Sequence, residues 1–204
     1  VSGKTHWENV YREKSAQEVS WYQATPTRSL ELIAETGIAR EAPVIDVGGG
    51  ASTLVDGLLH EGYSDISVLD IASSALQVAQ QRLGESAASV RWLEADITGF
   101  QPPRRYALWH DRAVFHFLTE AEDRSRYVAA LKQGLMPDGH LLIAAFAIGG
   151  PTRCSGLDTV QYDAEKLSAE LGENFHLEGT CSEEHLTPAG KQQAFNYFHY
   201  RYRP

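Results

Sequence analysis

Three carboxylates and one glycine turn carry the first chemical signal in this chain. Asp46 stands just before Gly48-Gly49-Gly50, Asp70 closes a later apolar run, and Asp96 follows a third. Glycines have no Cβ, so a turn built from them lets the backbone approach a ligand closely. Taken alone, Gly48, Gly49 and Gly50 are equally an ordinary strand-to-helix turn. Asp70, at the end of a second strand, can accept bonds from two ribose hydroxyls. Asp96 can accept from an exocyclic adenine amine. Together the three acids frame a nucleoside. A carboxylate as near the turn as Asp46 disfavours phosphate oxygens and favours a cationic amine or sulfonium. A dinucleotide fingerprint would read G-x-G-x-x-G/A, and here Thr53 stands at its sixth position.

The elements that must hold these residues alternate between strand and helix. Strands are expected at Val44–Val47, Ile66–Asp70, Val90–Glu94, Arg105–Trp109 and His140–Ile148, the last set off by the turn Pro137-Asp138-Gly139. Two more, Phe175–Gly179 and Ala194–Tyr202, have no helix between them and should pair as an antiparallel hairpin. Helical spacing runs through residues 52–60, and through Leu76, Ala79 and Leu83 behind a Ser73 or Ser74 cap. Thr119 and Glu122 form a capping-box pattern ahead of Val128, Leu131 and Leu135, and Asp163 can cap a helix stopping at Gly172. This is an α/β chain with a doubly wound, mostly parallel seven-stranded sheet, a C-terminal antiparallel hairpin, and helices on both faces. Residues 1–40 differ in pattern. Weak helical spacing at Trp7, Val10, Tyr11 and Lys14, and a helix capped by Thr27, make them an N-terminal helical segment ahead of a domain spanning 41–204.

Charge excludes some partners. With 18 Lys plus Arg against 27 Asp plus Glu, the net charge is -9, so the surface repels nucleic-acid backbones and anionic lipid. The longest apolar run is too short to span a bilayer, and the first residues lack the apolar stretch of a signal peptide. A cytoplasmic protein is expected. Cys154 and Cys181 form no disulfide framework and no CxxC zinc pattern, so no resident metal is expected.

The run Asp46-Val47-Gly48-Gly49-Gly50-Ala51-Ser52 resembles the D/E-x-G-x-G-x-G motif of class I S-adenosylmethionine-dependent methyltransferases, with Ser52 at the third glycine. The resemblance reaches from about Pro43 to the C-terminus and includes the closing hairpin, which is foreign to nicotinamide dehydrogenases. It implies S-adenosyl-L-methionine as cofactor. It places Gly48 and Gly50 against the methionine part, Asp46 near its ammonium, and Asp70 on the ribose. Ile71 lies beside the adenine, and Asp96 and Ile97 meet its edge. His110 and Asp111 face the sulfonium and the incoming nucleophile. The N-terminal segment would fold across the open end of the sheet, with Trp7, Tyr11 and Trp21 as an aromatic cap. The tract from His6-Trp7 to Trp21-Tyr22-Gln23 is similar to small bacterial methyltransferases and to the mitochondrial citrate synthase-lysine methyltransferase.

The stretch from Trp109 to Phe117 lacks the [D/N]-P-P-[F/Y] signature of enzymes that methylate adenine, cytosine or glutamine. His116 is a candidate general base, with a packed histidine as the alternative. Asp111 either orients a substrate amine or pairs with Arg112. Cys154 and Cys181 either hold a soft metalloid such as arsenite, selenite or tellurite, or are small buried hydrophobes. The reading is a methyltransferase acting on a small molecule, with a protein lysine as the second acceptor. A nicotinamide-dependent oxidoreductase and a non-catalytic cofactor-binding module are the rivals.

Overall fold

A computed structural model describes residues 3–204. Among the described residues nine strands form, in chain order β1 Val44–Val47, β2 Ile66–Asp70, β3 Val90–Glu94, β4 Tyr106–Arg112, β5 Leu135–Phe146, β6 Arg153–Cys154, β7 Leu157–Asp158, β8 Phe175–Leu186 and β9 Gln192–Tyr202. The helices are α1 Gly3–Glu13, α2 Thr27–Glu35, α3 Leu54–His60, α4 Ser73–Leu83, α5 Ala121–Gly134 and α6 Ala164–Leu171. Seven strands make one sheet in the order β3-β2-β1-β4-β5-β9-β8, and β6 with β7 forms a separate small hairpin. Pairings are parallel from β3 to β5, and β9 runs antiparallel to both β5 and β8. The order turns outward on either side of β1 and β4, which is where an open α/β sheet leaves a crevice at its strand ends.

Alternation along the strands sorts the core into layers. Ile45, Val47 and Trp109 join Tyr127, Val128 and Leu131 of α5 and Leu167 of α6 on one face. Val44, Val68 and Leu108 join Ile33 of α2 and Leu54, Val55 and Leu58 of α3 on the other. A third cluster at the far ends of β5 and β9 packs Phe146, Cys154, Phe195 and Tyr197 under Trp21 and Phe117.

Several local expectations change. β4 does not stop at Trp109 but continues to Arg112, because His110 and Asp111 pair with both β1 and β5. The strand β5 begins at Leu135, so Pro137-Asp138-Gly139 is a bulged strand segment, with Asp138 at φ 61. The capping box at Thr119 and Glu122 does not form. Glu120 occupies the N-cap of α5 without a side-chain bond, and Thr119 gives its carbonyl to Arg124. Thr27 lies inside α2 behind Pro26. Ser73 lies inside α4, whose first N–H groups bond to Glu8 of α1: Glu8 accepts from Ser73 N at 2.7 Å and Ser74 N at 3.4 Å. Asp163 caps α6 as expected, accepting from Lys166 N at 2.9 Å, and Gly172 ends it at φ 84.

A buried polar chain joins β4 to α5. The Trp109 indole donates to Tyr127 Oη at 3.2 Å, and that hydroxyl donates to Asp111 Oδ2 at 2.6 Å. All three residues are fully buried. Tyr127→Phe would leave the indole N–H unpaired and remove a donor from the carboxylate. It should lower unfolding free energy by about 1–3 kcal/mol, read as a lower urea midpoint with unchanged slope.

Candidate active site

The glycine turn and the carboxylates around it interlock. Gly48 has φ +70, and a Cβ there would collide with Val114, so both conformation and close approach require glycine. A Cβ on Gly49 would enter the Asp46 carboxylate, and one on Gly50 would enter that of Asp70 and sit 2.5 Å from Ala75 Cβ. Asp70 accepts from Gly50 N at 3.1 Å and Ala72 N at 2.8 Å. Burial pushes its carboxyl up to about 6, opposed by those two backbone donors. Each oxygen keeps acceptor capacity beyond these bonds.

Asp46 lies opposite His110 in the β1–β4 ladder, on the same face of the sheet. Its Oδ1 is 2.7 Å from His110 Nδ1, and His110 Nε2 is 2.9 Å from Ser29 Oγ on α2. All three side chains are buried. The second oxygen, Oδ2, is buried with no hydrogen-bond partner among the described residues.

Two joined cavities open beside these groups. The larger, of about 300 Å³, is lined by Asp70, Ile71, Asp96 and Ile97 and also by Trp7, Phe117 and Leu157. A narrower one, of about 40 Å³, lies between Asp46, Gly48, Gly49, His110 and the tract from Ala16 to Pro26. Tyr11, Trp21, Val47, Gly48 and Arg112 line both. Asp96 also caps a short turn, its Oδ1 accepting from Thr98 N at 2.9 Å.

The roof comes from the N-terminal segment. Trp7 meets Trp21 edge-on with ring centroids 5.6 Å apart and Phe117 at 5.1 Å, and Tyr11 meets Trp21 at 6.3 Å. α1 is tied down by Glu8 on α4 and by a Lys4–Glu94 ion pair across to β3.

The structure therefore brings Trp7, Tyr11, Trp21, Asp46, Gly48, Gly49, Asp70, Ile71, Asp96, Ile97 and His110 to the cavity walls, with Gly50 directly behind Asp70. It places His116 and Asp111 elsewhere. The His116 ring is fully buried, stacked on Phe146 at 4.4 Å and edge-on to Phe117 at 4.5 Å. Burial, aided by nearby Arg112, holds its imidazole down at about 3, so it is neutral. Asp111 points to the α5 face, accepting from Val114 N at 2.9 Å, Phe115 N at 3.1 Å and Tyr127. It lines neither cavity and forms no ion pair with Arg112, because the strand extends and adjacent residues face opposite ways. Cys154 is buried with its Sγ 3.5 Å from Ser20 Oγ, and Cys181 is half-buried. Burial raises both thiols, and neither lines either of these two cavities. Among the described residues no group of three His, Cys, Asp or Glu is placed to hold a metal, and no helix is long and apolar enough to cross a membrane.

Sequence reasoning missed Arg112, Ser29 and Glu8. Arg112 shares a face with His110 only once β4 is known to reach it. Ser29 and Glu8 act across long sequence separations that carry no local pattern.

The donor set fits an adenosyl cofactor bearing an amino-acid end. A glycine cradle has no room for a Cβ, and a buried carboxylate oxygen lacks a donor. Comparison with known proteins agrees. Residues 44–139 match the family described as Methyltransferase domain. No curated protein matches the chain by sequence. Among solved structures, an S-adenosylmethionine-dependent methyltransferase from Anabaena variabilis is similar at 16% identity and TM-score 0.78, covering 100% of this chain and 96% of that one. The N-methyltransferase NodS from Bradyrhizobium japonicum, complexed with S-adenosyl-L-homocysteine, is similar at 15% identity and TM-score 0.73, covering 97% and 98%. A protein of echinomycin biosynthesis, solved in work on converting a disulfide bond into a thioacetal group, shows 17% identity and TM-score 0.76 over 98% and 93%. Residues 44–139 thus carry a methyltransferase domain, on a sheet order and fold shared with those S-adenosylmethionine-dependent methyltransferases. The matched domain and the donor set support S-adenosylmethionine as the cofactor.

The interlock at the glycine turn makes a sharp expectation. Gly50→Ala drives a methyl group into the Asp70 carboxylate and against Ala75. It should weaken S-adenosylhomocysteine binding by at least about tenfold and cost on the order of 1–3 kcal/mol in stability. Calorimetric titration and urea unfolding of the same preparation check both.

Proposed function

We propose that this methyltransferase transfers the methyl group to a small-molecule acceptor held beneath α1. The observation that carries this reading is the apolar part of the larger cavity's lining. Trp7, Val114, Phe117, Leu118 and Leu157 wall it with apolar surface, and the N-terminal segment roofs it. A volume of about 300 Å³ belongs to the range of small-molecule sites.

In this reading Asp70 accepts from the ribose, and Asp96, Ile71 and Ile97 enclose the adenine. Gly48, Gly49 and Gly50 admit the amino-acid end, with Asp46 toward its ammonium. His110, bridged to Ser29, orients the Asp46 carboxylate. The cofactor supplies an electrophilic methyl on a sulfonium, whose charge disperses as the methyl leaves. This chain's share is alignment and exclusion of water. The faces of Trp7, Tyr11 and Trp21 add cation–π attraction. His116 and Asp111 lie outside the walls and support the cavity from behind: Asp111 fixes the turn bearing Val114, and His116 packs under Phe117.

The test is methyl transfer from labelled S-adenosylmethionine to a panel of small amines, thiols and hydroxyl compounds, run beside a protein lysate. Label in small molecules is expected. Label confined to a protein band would replace this reading with a protein acceptor.

A second expectation concerns pH. Asp70 must be ionised to accept two hydroxyl protons, and burial lifts its carboxyl to about 6. Lowering the pH from 7 to 5 protonates it in the free protein, so affinity for S-adenosylhomocysteine should fall across that interval. Asp70→Asn should bind about tenfold more weakly at pH 7 and lose most of the pH dependence. Equal affinity of wild type and variant at pH 7 would take the ribose away from Asp70.

A further inference from the structure

Two buried charged side chains of opposite sign each leave one atom unbonded, and both line the narrower cavity. One is Asp46, described above, with its side chain 3% exposed and Oδ2 free. The other is Arg112, whose side chain is 9% exposed. Its Nε donates to Tyr197 Oη at 2.9 Å and its Nη1 donates to the Trp21 carbonyl at 3.1 Å. The guanidinium lies over the Phe195 ring at 4.5 Å. Nη2 has no hydrogen-bond partner among the described residues, and Glu183 Oε2 stands 3.7 Å from it. That carboxylate is already engaged, accepting from Tyr197 Oη at 2.9 Å and from Gln23 Nε2 at 3.3 Å.

A buried donor on a cation with no acceptor is unfavourable, and so is a buried carboxylate oxygen with no donor. One ligand chemistry suits both: a zwitterion carrying an ammonium and a carboxylate on one carbon, as an α-amino acid does. We propose that Arg112 holds the α-carboxylate of the cofactor's amino-acid end, while Asp46 takes its ammonium. The inference rests on the cofactor reading and adds a residue to it. Arg112 stands where the two cavities meet, so its charge also marks the boundary between the amino-acid end and the adenosyl end. The three contacts on its remaining atoms fix the guanidinium plane before any ligand arrives, which limits the ordering needed on binding.

The rival account is a structural one: Arg112 merely pins Trp21, Tyr197 and Glu183 together. Calorimetry with three probes separates the two. The probes are S-adenosylhomocysteine, its analogue lacking only the carboxylate (the 3-aminopropyl thioether of adenosine), and 5′-methylthioadenosine, which lacks the whole amino-acid end. Wild type should prefer S-adenosylhomocysteine to the descarboxy analogue by at least about tenfold, the range of a charge-assisted carboxylate contact. Arg112→Gln should abolish that preference while binding 5′-methylthioadenosine as wild type does. Arg112→Lys, which keeps the charge but not the fork, should restore part of it. Equal loss for all three probes would make Arg112 structural and overturn the proposal. A preference retained in Arg112→Gln would place the carboxylate elsewhere and overturn it too. Failure of wild type to bind any of the three would instead sink the cofactor reading itself.

Discussion

A buried carboxylate on the central strand of a parallel sheet is the constraint around which this molecule is arranged. Asp46 has a strand on each side of it and the glycine turn beside it, and it lines the narrow cavity next to that turn. Such a group needs donors, and the fold supplies one through His110 from the neighbouring strand. His110 in turn needs a partner for its other nitrogen, and α2 provides Ser29. The N-terminal segment is therefore joined to the sheet by a polar chain in its interior as well as by apolar packing of Ile33. The opposite face carries an analogous chain through Trp109, Tyr127 and Asp111, which sets the turn that brings Val114 against Gly48. Two buried polar chains, one on each side of β4, thus meet at the glycine turn.

Much of this was legible in the residues. All seven strands of the main sheet, the antiparallel edge and the glycine turn follow from apolar runs and punctuation, because those signals are local, while several strand ends do not. The acids at the strand ends were legible for the same reason: Asp46, Asp70 and Asp96 each sit one step from a recognisable turn. What escaped was set by pairing partners. β4 continues past Trp109 because β1 and β5 flank it and satisfy its backbone, and no property of His110 or Asp111 announces that. Once it continues, alternation decides function: His110 and Arg112 face the cavity side, and Asp111 faces the helix α5. Reading those residues as a loop assigned Asp111 to the substrate, and reading them as strand assigns it to the core.

His116 shows a second limit. Its residue type favours acid–base work, yet its environment keeps it neutral and enclosed by Phe146, Phe117 and Phe195. Burial is a tertiary property, and a single histidine in an apolar stretch carries no sign of which way it will fall. Serine caps failed in a similar way. Ser73 and Ser74 sit at the right place to begin α4, but the carboxylate that meets the helix N-terminus comes from Glu8, far away in the chain.

That borrowed cap ties two events together. α4 starts just beyond Asp70, and its first amides bond to a residue of the helix that roofs the cavity. Lifting α1 to admit a ligand removes the negative charge from the N-terminus of α4 and leaves those amides to water, a change worth on the order of 1 kcal/mol. Opening the roof thus loosens the floor beside the ribose carboxylate, and closing it firms that floor again. One carboxylate, Glu8, thus serves both the helix over the cavity and the start of the helix beside Asp70.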